Sequence, residues 1–298
     1  MNKSAVTDYL LLGVLTLIWS TSFLLIKIGV TSVGPFTLTS ARLIIAGSLL
    51  VTVLLTKRQR LPLDANAVQM YFAVGILGNA LPFAMISWGE VYIDSSLAAI
   101  MMGIMPISTF ILAHFFIPSE PMTQRKVIGV ALGFAGLMTL VGISVLSKFG
   151  SHLIGQLAVL GGALSYSVTT ILVRSRPGPS GIQMATGVTL VAALSSIPLT
   201  LLLEDPSAMT PSTDALFAIV LLGVFPTAVA ALIYFRVIRN LGAVTFSQIN
   251  YLIPVLGSVW GILLLNESLS WQTMAALCLV LAGIYYVQPP RQKPDTLP

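Results

Sequence analysis

The stretch "WSTSFLLIK", Trp19 to Lys27, returns 147 residues later as "YSVTTILVR", Tyr166 to Arg174: an aromatic first, hydroxyls inside, a cation last. The same shift lays "EPMT" from Glu120 on "ESLS" from Glu267 and Gly136 on Gly283; a one-residue gap brings Pro106 onto Pro254. Chance similarity between apolar segments would not align polar landmarks at one offset. The chain therefore reads as a tandem repeat, 1–147 and 148–288, with a disordered tail over 289–298.

Composition says where such a repeat lives. The 298 residues are 56% hydrophobic and 8% charged, with a mean hydropathy of +0.95, against about 25% charge in an average soluble domain. This is the composition of an integral membrane protein. The net charge of +5 would suggest nucleic acid in a soluble chain, but here the basic residues lie between apolar segments and report topology. One cysteine, Cys278, cannot form an intrachain disulfide, and no Cys/His spacing suits a metal, so no cofactor is expected. The first apolar stretch runs for about 20 residues, beyond the roughly 7–15 of a signal-peptide core, and is expected to stay as a first span.

Crossing a hydrocarbon core of roughly 30 Å takes about 20 apolar residues in a helix. By that measure the fold is all-α and polytopic, with ten transmembrane helices: 9–28, 35–56, 68–89, 95–117, 126–146, 153–174, 182–203, 214–236, 243–265 and 271–288. Five spans per repeat is an odd number, so the second repeat enters the membrane from the other side. Inverted repeats of this kind are the architecture of alternating-access transporters. Twelve of the 15 Lys and Arg residues fall at the N-terminus, in the even-numbered loops or in the tail, and only Lys27 and Lys148 on the opposite side. Positive charge marks the cytoplasmic side, which places both termini in the cytoplasm.

Ten spans in two repeats, "WSTSF" in the first helix, "ARLIIAG" with Arg42 in the second, and the hairpins Pro106/Glu120 and Pro254/Glu267 resemble the EamA family of the drug/metabolite transporter superfamily. The resemblance covers nearly the whole chain. It implies a bacterial cytoplasmic (inner) membrane exporter of small metabolites, with amino acids as the nearest substrate class and drugs or other metabolites as the alternative. The four-span multidrug members have a similar first helix with an embedded glutamate where this chain has Trp19. Tyr166 holds the second equivalent position, so proton coupling through that site is in doubt.

In hydrocarbon, polar side chains gather around a protein interior or a wet cavity. Trp19 with Ser22 and Phe23, Asn79 with Phe83, Tyr166, and Gln248 with Tyr251 lie at mid-span at helical spacing, and are the candidate substrate-binding residues. Met101 and Met105 join them as a pliable wall; packing is the alternative role for each of these residues. Pro106 and Pro254 occupy equivalent places in spans four and nine, where each removes a backbone donor, and are candidate hinges. The glycine pairs Gly129/Gly133 and Gly257/Gly261 suit close helix contact.

Arg42 is the one fully embedded cation, about 10 Å below the outer surface at helical rise. It is expected to snorkel outward, to pair with Glu90 or Asp94, or to meet substrate. The acids are expected near the surfaces, which favours a neutral, zwitterionic or amphipathic solute over a phosphate ester. Enzyme chemistry is disfavoured: His114 and His152 lie near span ends, and no GxSxG or HExxH motif occurs. A structural or sensory membrane protein needs no chemistry and stays as a rival. The expected partners are a small-molecule substrate, amino acids first, and the lipid bilayer, without nucleic acid. Ten spans suffice to enclose a cavity, so a monomer is expected.

Overall fold

The computed structural model describes residues 3–141, 152–179, 181–256 and 271–288, which form helices and short connections with no strand among them. In chain order the helices are α1 (Val6–Gly29), α2 (Pro35–Thr56), α3 (Ala65–Tyr92) and α4 (Leu97–Phe116), then α5 (Gln124–Val141). There follow α6 (Leu153–Ser175), α7 (Gly181–Leu203), α8 (Thr213–Leu241), α9 (Ala243–Leu256) and α10 (Trp271–Val287). Seven of these, α1 to α4 and α6 to α8, are long and apolar enough to cross a membrane, and α9 and α10 are shorter apolar helices. The expected spans 126–146 and 243–265, Lys148, Gly257/Gly261, Glu267 and the tail lie wholly or partly outside the described residues.

Local chemistry sets the boundaries. Pro35 starts α2 behind Gly34, where a missing N–H costs nothing. The Asp64 carboxylate accepts from Ala67 N at 3.1 Å to cap α3, and the Ser212 hydroxyl accepts from Ala215 N at 3.2 Å to cap α8. Gly242, at φ 89°, ends α8 in a conformation that costs other residues strain. Within α1 the hydroxyls of Ser20 and Thr21 each donate to the carbonyl three residues back, both at 2.8 Å, and the helix is interrupted at Thr21. Hydroxyls that turn back on their own helix bend it.

Two helices run further than expected. The third continues to Tyr92, so Glu90, placed just beyond a span, lies inside it and is fully buried. That corrects the expectation that the acids sit near the surfaces. The eighth continues to Leu241, which puts Arg236 and Arg239 in its last turns.

Packing pairs the two halves. Helix α5 lies on α10, α2 on α7, α3 on α6 and α7, and α8 on α1 and α2. The α5–α10 contact is backbone-close: a Cβ on Gly129 would sit 2.7 Å from the Gly283 carbonyl, and one on Gly283 2.6 Å from the Gly129 carbonyl.

The loops sort into two ends. At one end Asp8 takes Arg236 at 2.7 Å, Asn66 donates to Pro177 O, and Arg239 donates to Pro179 O. There too Glu120 takes Arg174 Nε at 2.9 Å together with the N–H groups of Ala243 and Val244 at 2.9 and 3.0 Å. At the other end Lys27 Nζ donates to Glu90 O and Ile93 O at 2.7 and 3.0 Å. Glu204 accepts there from Phe36 N and Thr37 N, capping α2, and Ser32 meets Ser212.

Candidate functional site

Midway between those ends lies a cavity of about 100 Å³, lined from α1 to α4 and from α6 to α9. Backbone irregularity frames it on both sides. The third helix widens to a π-turn over Ile76–Ala80 and the eighth over Gly223–Val229. The two starts, 76 and 223, are 147 residues apart, the offset of the repeat. Gly78 and Asn79 from the first π-turn and Pro226 and Thr227 from the second face the cavity. A π-turn leaves carbonyls without their helical donors, which is tolerable only where something else serves them.

Each π-turn is served from the other repeat. Trp19 Nε1 on α1 donates to Pro226 O on α8 at 3.0 Å. Ser165 Oγ on α6 donates to Leu77 O on α3 at 2.6 Å. Ser165 adjoins Tyr166, the repeat counterpart of Trp19.

Aromatic rings form two groups. Trp19 lies 6.1 Å from both Tyr234 and Phe246, edge-on to the latter, and those two rings meet edge-to-face at 5.2 Å. Across the cavity Phe83 and Tyr166 are 6.4 Å apart. Such rings present broad apolar faces with fixed geometry.

Arg42 neither snorkels nor forms the expected ion pair. It is buried, with Cζ stacked 3.9 Å over the Phe83 ring, while Nε and Nη2 donate to the Thr227 hydroxyl at 3.1 Å. The Glu90 carboxylate is buried and makes no hydrogen bond with Arg42, and Asp94 is exposed. Arg42 is the one charged side chain among the described lining residues.

Of the residues singled out in the sequence, Trp19, Ser22, Phe23, Asn79, Phe83, Met105 and Tyr166 face the cavity, whereas Met101, Gln248 and Tyr251 do not. Met101 is displaced by a break at Met102–Gly103, four residues before Pro106. There Gly103 N bonds Ile100 O at 2.8 Å and Met105 N bonds Met102 O at 3.0 Å. In that tighter turn residues three apart eclipse, so Met102 and Met105 face the cavity and Met101 joins the core.

The α9 helix is broken at Gln248, yet Phe246, Asn250 and Ile253 keep helical spacing and face inward. Tyr251 points the opposite way, packing with Leu137, Ala276 and Val280 into a gap that Gly133 leaves by having no side chain. Gln248 is wholly buried, and neither its amide nor the Tyr251 hydroxyl has a hydrogen-bond partner among the described residues. Pro106 lies in the first turn after the α4 break and Pro254 six residues after the α9 break. Thr227 and Tyr234 were not singled out. Their signal was the spacing Pro226, Ala230, Tyr234 along one face of α8, all three facing the cavity.

The model of the EamA-like transporter family matches this chain twice, over residues 7–142 and 153–288. The Bacillus subtilis uncharacterized transporter YoaV is 23% identical over 278 residues, covering 92% of this chain and 95% of that one. An uncharacterized transporter of Archaeoglobus fulgidus is 28% identical over 283 residues, covering 94% and 98%. A solved crystal structure superposes with a TM-score of 0.74 at 21% identity, over 94% of this chain and 97% of the other, a likeness of fold. With both halves matched, the chain is a multi-pass membrane protein that belongs to the EamA-like transporter family.

Proposed function

We propose that the protein is a carrier of small neutral, zwitterionic or amphipathic metabolites, amino acids foremost, and that it exports them across a bacterial cytoplasmic membrane by alternating access. The observation that carries this reading is the central cavity with its paired π-turns, each held by a donor from the opposite repeat. The cavity is lined by residues of both repeats, so rocking of the repeats against each other opens it to one side and then the other.

Inversion of the repeats accounts for three features. Helices α2 and α7, counterparts in the repeat, pack on each other, as do α5 and α10. The contact of α3 with α6 has its counterpart in that of α8 with α1. Lys27 caps the carbonyl end of α3 at one end of the molecule, and its repeat partner Arg174 donates to Arg239 O near the close of α8 at the other, at 2.6 Å. The five-helix repeats 1–147 and 148–288 are then the moving units, with Pro106 and Pro254 as hinges. A monomer suffices for this scheme. The end bearing Arg174, Arg236 and Arg239 is the cytoplasmic one, since positive charge is retained there.

The test is uptake of labelled amino acids into proteoliposomes, with and without a pH gradient, against protein-free liposomes. Saturable uptake is expected, and its response to the gradient reads the coupling, since Trp19 stands where the multidrug relatives have glutamate. Linear uptake equal to that of empty liposomes, in folded protein and across amino acids and lipophilic drugs alike, overturns the reading in favour of a structural or sensory role.

A further inference from the structure

A cation is the costliest group to leave in the middle of a membrane protein, and Arg42, 3% exposed, is left there. Its surroundings fix it without a hydrogen-bonded carboxylate among the described residues. The Thr227 hydroxyl accepts from Nε and Nη2 at 3.1 Å and gives its own proton to Leu222 O at 2.8 Å, which fills all its hydrogen-bonding capacity. Leu222 immediately precedes the π-turn of α8, so that turn positions the anchor for the guanidinium. Phe83 covers one face of the group. Of the five N–H donors of a guanidinium two are engaged; the others have no protein partner among the described residues. The group lines the cavity.

The scaffold does not demand a cation at this place. The repeat counterpart of Arg42 is Thr189, a fully buried residue whose hydroxyl has no hydrogen-bond partner. The same helix crossing is thus built once with an arginine and once with a small neutral residue. Glu90 is the carboxylate whose charge reaches Arg42, but no hydrogen bond joins the two; what Arg42 lacks is a carboxylate on its planar fork, the geometry that two parallel bonds fill. The rest of the lining is suited to an apolar body: Trp19, Tyr234 and Phe246 stand together on one side, and no carboxylate is present among the lining residues to receive an ammonium.

We propose that Arg42 anchors the carboxylate of the transported solute, so that the solutes recognised are organic monocarboxylates with an apolar body, and an α-ammonium is dispensable. This rests on the carrier reading and narrows it. The solute brings the charge that the cavity lacks, and the pair forms where water is sparse and ionic attraction strong. A dianion would bring one charge too many, and an amine without a carboxylate would set cation against cation.

Equilibrium binding to the full chain in lipid nanodiscs tests it with three probes: 3-phenylpropionate, L-phenylalanine and L-phenylalaninamide. The two acids are expected to bind within about threefold of each other, and the amide at least about tenfold more weakly. Arg42→Gln is expected to erase the difference between acid and amide. Arg42→Lys, which keeps the charge and loses the fork, is expected to weaken the acids alone. The comparison of acid with amide on the unaltered protein needs no variant to fold. Equal binding of acid and amide, or binding of neither acid, overturns the inference. Labelled 3-phenylpropionate uptake into proteoliposomes separates the two claims. Binding without saturable flux contradicts the carrier and leaves the anchor; saturable flux inhibited equally by acid and amide contradicts the anchor and leaves the carrier.

Discussion

Trp19 does two jobs that a single substitution can separate. Its ring forms one wall of the aromatic group, and its N–H holds the Pro226 carbonyl at 3.0 Å. Trp19→Phe keeps a ring and leaves that carbonyl unserved; Trp19→Ala removes both. A buried polar group left unsatisfied costs about 1–3 kcal/mol. We expect Trp19→Phe to lower the unfolding temperature while half-saturation for transport stays within about threefold, and Trp19→Ala to raise half-saturation at least about tenfold. Transport kinetics beside thermal unfolding in detergent checks this; unchanged half-saturation in Trp19→Ala removes the residue from the site. Gln248 makes the opposite case. Its amide is wholly buried without partners, so Gln248→Leu should be neutral or stabilising and should leave transport intact. A loss of transport there would mean that its face of α9 meets solute in another state.

At this scale helical spacing read several faces correctly: it puts Asn79 with Phe83, and Trp19 with Ser22, facing the cavity. It failed for Met101 because the 3.6-residue period is lost at Met102–Gly103. Gln248 and Tyr251 do share a face as their spacing says, but it is turned to Gly133 rather than to the cavity.

Among the elements, the least legible are the π-turns of α3 and α8. One extra residue in a turn leaves no mark in hydropathy, and only the coincidence of both turns at the 147-residue offset ties them to the repeat. The hairpin motif, by contrast, announced a role that its contacts explain. Glu120, conspicuous as "EPMT", caps the start of α9 through Ala243 N and Val244 N and pairs with Arg174. Carboxylates are favoured at helix N-termini, and breaking a buried pair by removing one partner costs about 3–5 kcal/mol. Arg174 keeps part of its surface in water, so the expected loss for Glu120→Ala is nearer about 2 kcal/mol, with Glu120→Gln losing less because an amide oxygen still accepts. Thermal unfolding of both variants measures this, and equal stability of Glu120→Ala and the unaltered protein would contradict it. The hinge assignment is tested by thiol accessibility from each side in Pro254→Ala: a hinge predicts that exposure shifts to one side, and cycling as before removes the role.

For the whole molecule, the repeat and the charge bias were legible at the outset because both are properties of the linear chain. Expected and observed boundaries agree closely for α2, α6 and α7. The buried Glu90 was not legible, because the length of α3 depends on how α3 packs along α6 rather than on the residues beyond its end. Sidedness yields its own prediction. A cysteine placed near the N-terminus should resist a membrane-impermeant thiol reagent in intact cells and react once the cells are opened; labelling in intact cells would reverse the orientation.

Counterflow is the measurement that reaches the central claim most directly. Proteoliposomes are loaded with unlabelled L-leucine, diluted into a trace of labelled L-leucine, and followed over time, with L-phenylalanine as a second solute. A carrier whose cavity opens to one side at a time predicts a transient accumulation of label above the equilibrium level, abolished in Trp19→Ala. A monotonic rise to equilibrium, with no overshoot for either solute in folded protein, would contradict alternating access through this cavity.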